Sequence, residues 1–122
     1  MFFSKFRQQA VTFLLLLLSA LHCSAGQEDP CNNLPGNWQG KWRGSCVCDM
    51  KIEIDSYNEQ ARLVNHFTNC SKGCYDTTAV EYATCKNSVL TFPNDIDNAH
   101  GQIIGNKLTL NVGSAIALLN KQ

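Results

Sequence analysis

The chain has little of what a membrane-spanning or nucleic-acid-binding protein needs. Beyond its first 25 residues no apolar run approaches the roughly 18 residues required to cross a bilayer. The apolar stretch 115–119 is too short even for the tail of a lipid anchor. Charge is sparse and balanced, with ten Lys and Arg against ten Asp and Glu in 122 residues. There is no basic stripe, so attraction to nucleic acid or to an anionic membrane surface has no electrostatic basis. Histidine is rare: the chain holds three, His22, His66 and His100. It has no Gly-X-Ser-X-Gly elbow, no His-Glu-X-X-His motif and no glycine-rich phosphate loop. Asp95-Ile96-Asp97-Asn98 offers oxygen ligands but lacks the rest of a calcium loop and reads as a solvated turn. These gaps leave an enzyme as the least supported class, with no cofactor and no metal expected.

What the chain does have begins with a leader. Lys5 and Arg7 precede the apolar run 11–18, which contains five consecutive leucines, and the small residues Ser24 and Ala25 follow. This is the pattern of a secretory signal over residues 1–25, with cleavage expected after Ala25 or one residue later. A lipid-modified Cys23 is the rival reading, but His22 stands where such a site wants a small residue. Without the leader, eight basic residues face ten acidic ones, so the exported chain is slightly acidic. Residues 26–122 then form one small domain with an extracellular destination. A core of that size is marginal on hydrophobic burial alone.

Cysteine answers the deficit. Setting Cys23 aside leaves Cys31, Cys46, Cys48, Cys70, Cys74 and Cys85, an even set that reads as three disulfides in an oxidising compartment. Zinc ligation is the rival reading of the same cysteines, but a secreted chain meets disulfide-forming chemistry first. The expected bond across the first long hairpin joins Cys46 or Cys48 to Cys70.

Residues 37–55 carry the strongest structural signal. Even positions are Trp38, Gly40, Trp42, Gly44, Cys46, Cys48, Met50, Ile52 and Ile54, while the odd ones are polar apart from Val47. A period of two means extended chain with one dry and one wet face. The stretch is too long for one ordinary strand, and Gly44 is its natural break. Strands are therefore expected at 37–43 and 46–54, then at 61–68 after the turn residues 55–59. Further strands are expected at 77–85, with Val80 and Tyr82 on one face and Glu81 on the other, and at 89–92. Gly105-Asn106 between 100–104 and 107–112 is a two-residue hairpin signal that sets Ile103 against Leu108. The tail 113–119 reads as a last strand, with a short helix capped by Ser114 as the alternative, and 26–35 as an extended lead-in pinned by Cys31. The fold class is all-β: a small antiparallel up-and-down meander or barrel of seven to eight short strands, stapled by three disulfides.

Gly36-Asn37-Trp38, a Gly-X-Trp at the entry to the first strand of a meander, resembles the opening of the lipocalin and avidin group of barrels. The resemblance implies a pocket in the barrel mouth, lined by apolar and aromatic side chains, and hence a small apolar or amphipathic ligand. Trp38, Trp42, Met50, Phe67, Tyr82 and Phe92 are the side chains expected to line it, with a core role as the alternative. A second expectation is an extracellular interaction or structural protein with a filled core, working through Gln39, Lys41 and Arg43 on its outer face. A third is a serine-protease inhibitor presenting Lys72 and Gly73 in the loop 70–74, where preorganisation would lower the entropic cost of binding. Asn69-Cys70-Ser71 is a glycosylation sequon, inefficient with cysteine at its centre. His66, on a face with Val64 and Thr68, and His100 are expected to be structural.

Overall fold

The computed structural model describes residues 29–94 and 98–122. The expected leader 1–25 and the segment 95–97 lie outside these. Eight strands follow in chain order: β1 Gly36–Arg43, β2 Val47–Tyr57, β3 Gln60–Thr68, β4 Thr77–Lys86, β5 Val89–Thr91, β6 His100–Ile104, β7 Lys107–Val112 and β8 Ala115–Lys121. Each pairs antiparallel with the next, and β8 returns to pair with β1, so the meander closes into a barrel without a free edge. An eight-stranded barrel encloses just enough space for side chains or one small ligand.

The alternation of β1 and β2 produces this closure. Trp38 lies opposite Ile52, Gly40 opposite Met50 and Trp42 opposite Cys48, so the even residues of both strands point inward together. Lys41 faces Asp49 outside, with Nζ 2.6 Å from the carboxylate oxygen. The barrel seam depends on Gly40, where β1 meets β8. A Cβ there would fall 1.8 Å from the Leu118 carbonyl oxygen. No residue with a side chain can take that position without parting the strands.

Two tight turns fix the long hairpins. Asn58 and Glu59 (φ 50° and 64°) join β2 to β3, and Asn87 and Ser88 (φ 51° and 71°) join β4 to β5. Both turns have two consecutive left-handed residues, as a two-residue hairpin of matching twist requires. The first turn is tighter than the expected 55–59, because β2 runs on as an extended ribbon to Tyr57. The lead-in also differs from expectation: Pro30–Asn33 is a single 3-10 turn. Asp29 caps it by accepting the Cys31 N–H at 3.0 Å, and Pro30 supplies a preset φ at its first position.

The disulfides join Cys31 to Cys85, Cys46 to Cys74 and Cys48 to Cys70. The last is the bond expected across the β2–β3 hairpin. Each contributes on the order of 2–4 kcal/mol, chiefly by restricting the unfolded chain. Among the described residues, no helix is long and apolar enough to cross a membrane.

Candidate functional site at the open end of the barrel

The two ends of the barrel are built differently. At one end lie the hairpin turns 58–59, 87–88 and 105–106, together with the 3-10 turn and the last residues of β8. Trp38 fills this end. Its ring is fully buried, and its indole N–H donates to the Leu34 carbonyl at 2.8 Å. Lys121 crosses over it with Nζ 5.5 Å from the ring centroid, and also donates to the backbone and side-chain oxygens of Asn33. Asn33 in turn donates to Gly105 O at 2.8 Å and Asn106 Oδ1 at 3.1 Å. Gly36 has φ +133°, and a Cβ on it would meet Lys121 Cε at 2.9 Å. The glycine of Gly-X-Trp thus leaves room for the lysine that covers the tryptophan.

The opposite end is bounded by the connections 44–46, 69–76 and 113–114, with Phe92 after β5 and Ala99 before β6. Inside it lies a chamber of about 110 Å³ whose walls include Trp42, Met50, Leu63, Phe67, Phe92 and Leu110, with Asn65 and Glu81 as its polar members. Outside it lies a larger, more open recess of about 530 Å³, floored by Trp42 and Phe67 and walled by Cys46, Cys48, Gly73, Cys74, Tyr75 and Thr77. Trp42 and Phe67 line both spaces. Their rings meet edge to face at 81°, with centroids 5.5 Å apart. Two disulfides hold the segment 70–74 against the start of β2, so the recess has a covalently braced wall. Tyr75 stands at its rim with 86% of its surface exposed.

Of the six side chains expected to line a pocket, Trp42, Met50, Phe67 and Phe92 come together in the chamber. Trp38 does not; it is the plug of the closed end. Tyr82 is also elsewhere, because Arg62 pairs with Tyr82 and Leu63 with Glu81. Directly paired residues share a face, and Leu63 is fully buried inside. Ala79, Glu81, Ala83 and Cys85 therefore face the interior, while Tyr82 lies outside against Tyr57, with ring centroids 5.9 Å apart. Arg62 covers Tyr57 and forms a two-point pair with Asp55, at 3.1 Å and 2.6 Å. Val80 and Tyr82 do share a face opposite Glu81, but it is the outer one, so Tyr82 cannot line the pocket.

Asn65 and Glu81 are chamber residues beyond the six expected, although Asn65 carries a signal. It interrupts the inward phase Ala61, Leu63, Phe67 of β3 with an amide, and it is 6% exposed.

The other candidates occupy the surface. Lys72 and Gly73 form the tip of a turn closed by the Cys74 N–H on the Ser71 carbonyl at 3.0 Å. Asn69 is exposed, and its Nδ2 donates to Asp49 Oδ2 at 2.9 Å while Cys70 beside it is disulfide-bonded. His66 is outward-facing, with Nδ1 3.3 Å from Thr78 Oγ1 and Nε2 3.7 Å from Glu53. His100 Nδ1 lies 3.1 Å from the Asn98 carbonyl oxygen. Among the described residues no three His, Cys, Asp or Glu side chains gather as a metal site. Comparison with protein-family models, with curated proteins and with solved structures finds no match.

Proposed function

We propose that this is an exported binding protein of the lipocalin and avidin kind, which takes a small apolar or amphipathic ligand into the open end of its barrel. One observation carries the reading: the barrel is plugged at one end by Trp38 and hollow at the other behind Trp42 and Phe67. Native cores close-pack their side chains, so a chamber with an outer recess on the same aromatic pair is a departure from packing for its own sake. The outer recess falls within the usual size range of ligand sites, and the inner chamber below it. The chamber walls are largely apolar, which supports binding over catalysis. The turn at Lys72-Gly73 folds the chain back on itself, whereas a peptide docking into a cleft is extended; this weighs against protease inhibition.

The test is a titration of the oxidised protein with N-phenyl-1-naphthylamine, a neutral fluorescent apolar probe. Saturable probe emission at one molecule per chain, with quenching of tryptophan, is expected. A folded protein that leaves the probe dark at every concentration contradicts the reading.

A further inference from the structure

We infer that the ligand is an uncharged amphiphile that enters head first, and that its head is a hydroxyl-class hydrogen-bond donor read by Asn65. This rests on the binding function proposed above and specifies the chemistry of the same site.

Asn65 is the buried polar side chain of the described barrel interior, and its Oδ1 has no hydrogen-bond partner. It sits in mid-strand opposite Ile52 on β2 and Ala79 on β4, and it lines the chamber. Burying an amide without a partner is unfavourable, and an aliphatic side chain of similar size would remove the penalty. The fold gives this buried carbonyl oxygen no bond, and Asn65 lines the chamber, where a ligand head would supply one. Ligand sites combine apolar walls with a few polar groups of this kind, which fix orientation.

The remaining walls narrow the head group. Glu81 is the other polar wall, and among the described residues no Lys, Arg or His lines the chamber. A carboxylate or phosphate head would be buried there with no cation to compensate it. A hydroxyl both donates and accepts, which suits an amide that presents an oxygen and an NH₂. Size sets the direction of entry. A dry cavity of about 150 Å³ holds a benzene ring, and the chamber is about 110 Å³. It has space for the head and a few carbons. The apolar remainder must pass the Trp42–Phe67 pair into the recess of about 530 Å³ beside Tyr75.

The experiment measures displacement of N-phenyl-1-naphthylamine by 1-octanol, octane and octanoate, on the oxidised wild-type protein and on Asn65→Leu. The expected result is that the octanol-to-octane affinity ratio falls about tenfold in Asn65→Leu, since only octanol loses a partner. Octanoate is expected to be the weakest competitor for the wild type. An unchanged ratio, with both compounds still displacing the probe, overturns the role of Asn65 and leaves the apolar site standing. Failure of all three compounds to displace a probe that binds overturns the inferred ligand chemistry, and failure of the probe to bind overturns the binding function itself. The wild-type protein supplies an independent readout should Asn65→Leu not fold. The side-chain NH₂ resonances of Asn65 are expected to shift with octanol and to stay in place with octane; equal shifts with both overturn the inference.

Discussion

Lys121 on the last strand lies over Trp38 on the first, with its ammonium 5.5 Å from the ring centroid, and joins these two strands across the plugged face of the barrel. The same ammonium donates to the Asn33 carbonyl and to Asn33 Oδ1. One side chain therefore connects the 3-10 turn, the first strand and the closing strand. Lys121→Ala is expected to destabilise the protein by about 1–2 kcal/mol, through loss of the cation–π contact and the hydrogen bonds. Lys107→Ala, on an exposed side chain paired with Asn120, should cost less than about 0.5 kcal/mol. Urea unfolding of the two variants side by side measures the difference, and equal midpoints would contradict the role assigned to Lys121.

Closure at the β1–β8 seam makes a second prediction. Gly40→Ala places a methyl group on the Leu118 carbonyl, which is rigid backbone. The strands must separate there, and a cost of about 3 kcal/mol or more is expected, enough to deplete the folded state of a small domain. Gly105→Ala is the control, because its Cβ meets open space and only the left-handed φ of 58° opposes it. It should cost about 1 kcal/mol. Circular dichroism and thermal melts of both variants decide the point.

The hairpin turns contain stored strain that can be relieved. Glu59 and Ser88 occupy left-handed conformations at the second position of their turns, where glycine is preferred. Glu59→Gly and Ser88→Gly create Asn-Gly turns and are each expected to stabilise the protein by about 0.5–1 kcal/mol. The melting temperature should rise by a few degrees for each, and by their sum in the double variant, since the turns belong to different hairpins.

Acid should weaken the fold. The Asp49 carboxyl is held below the usual carboxylate range by the Lys41 ammonium and the Asn69 amide. The Arg62 guanidinium does the same for Asp55, and the Cys31 and Asn87 backbone N–H groups for Asp29. Each has a folded value below its unfolded one of about 3.9. Their stabilisation is complete above that value and is lost as pH falls through the folded values. Urea midpoints should be level from about pH 7 to 5 and decline below about pH 4. The contribution is modest, because Asp55 is exposed and Asp29 and Asp49 are only partly covered. Asp29→Asn, which removes the anion shared by the 3-10 turn and the β4–β5 turn, should flatten the decline.

How much of this was legible from residues alone varies with the physics of each element. The inward set Trp38 to Ile54 could be read because one face of β1 and β2 is dry and the other wet, and a slip of one residue would invert both. The bond between Cys48 and Cys70 follows from the same hairpin. The other two pairings depend on which loops meet at each end of the closed barrel, which no local pattern records. Which face of β4 turns inward, and so that Tyr82 does not, is not legible locally because both of its phases carry apolar residues. Register with Leu63 decides the matter, and register is a property of two strands. Asn65 was passed over because it contradicts the pattern of its own strand, and such contradictions concentrate at functional sites. The chamber itself depends on how far Trp42 and Phe67 approach one another, which is set by barrel geometry.

The two tryptophans provide the most direct test of the open end as a ligand site, because each has one indole N–H and they lie at opposite ends of the barrel. In a two-dimensional ¹⁵N–¹H spectrum of the oxidised, ¹⁵N-labelled protein, titration with 1-octanol should move the Trp42 indole signal saturably. The Trp38 signal, bonded to the Leu34 carbonyl behind the plug, should remain in place. Movement of neither signal at saturating octanol, or of Trp38 alone, would contradict a binding site behind Trp42 and Phe67.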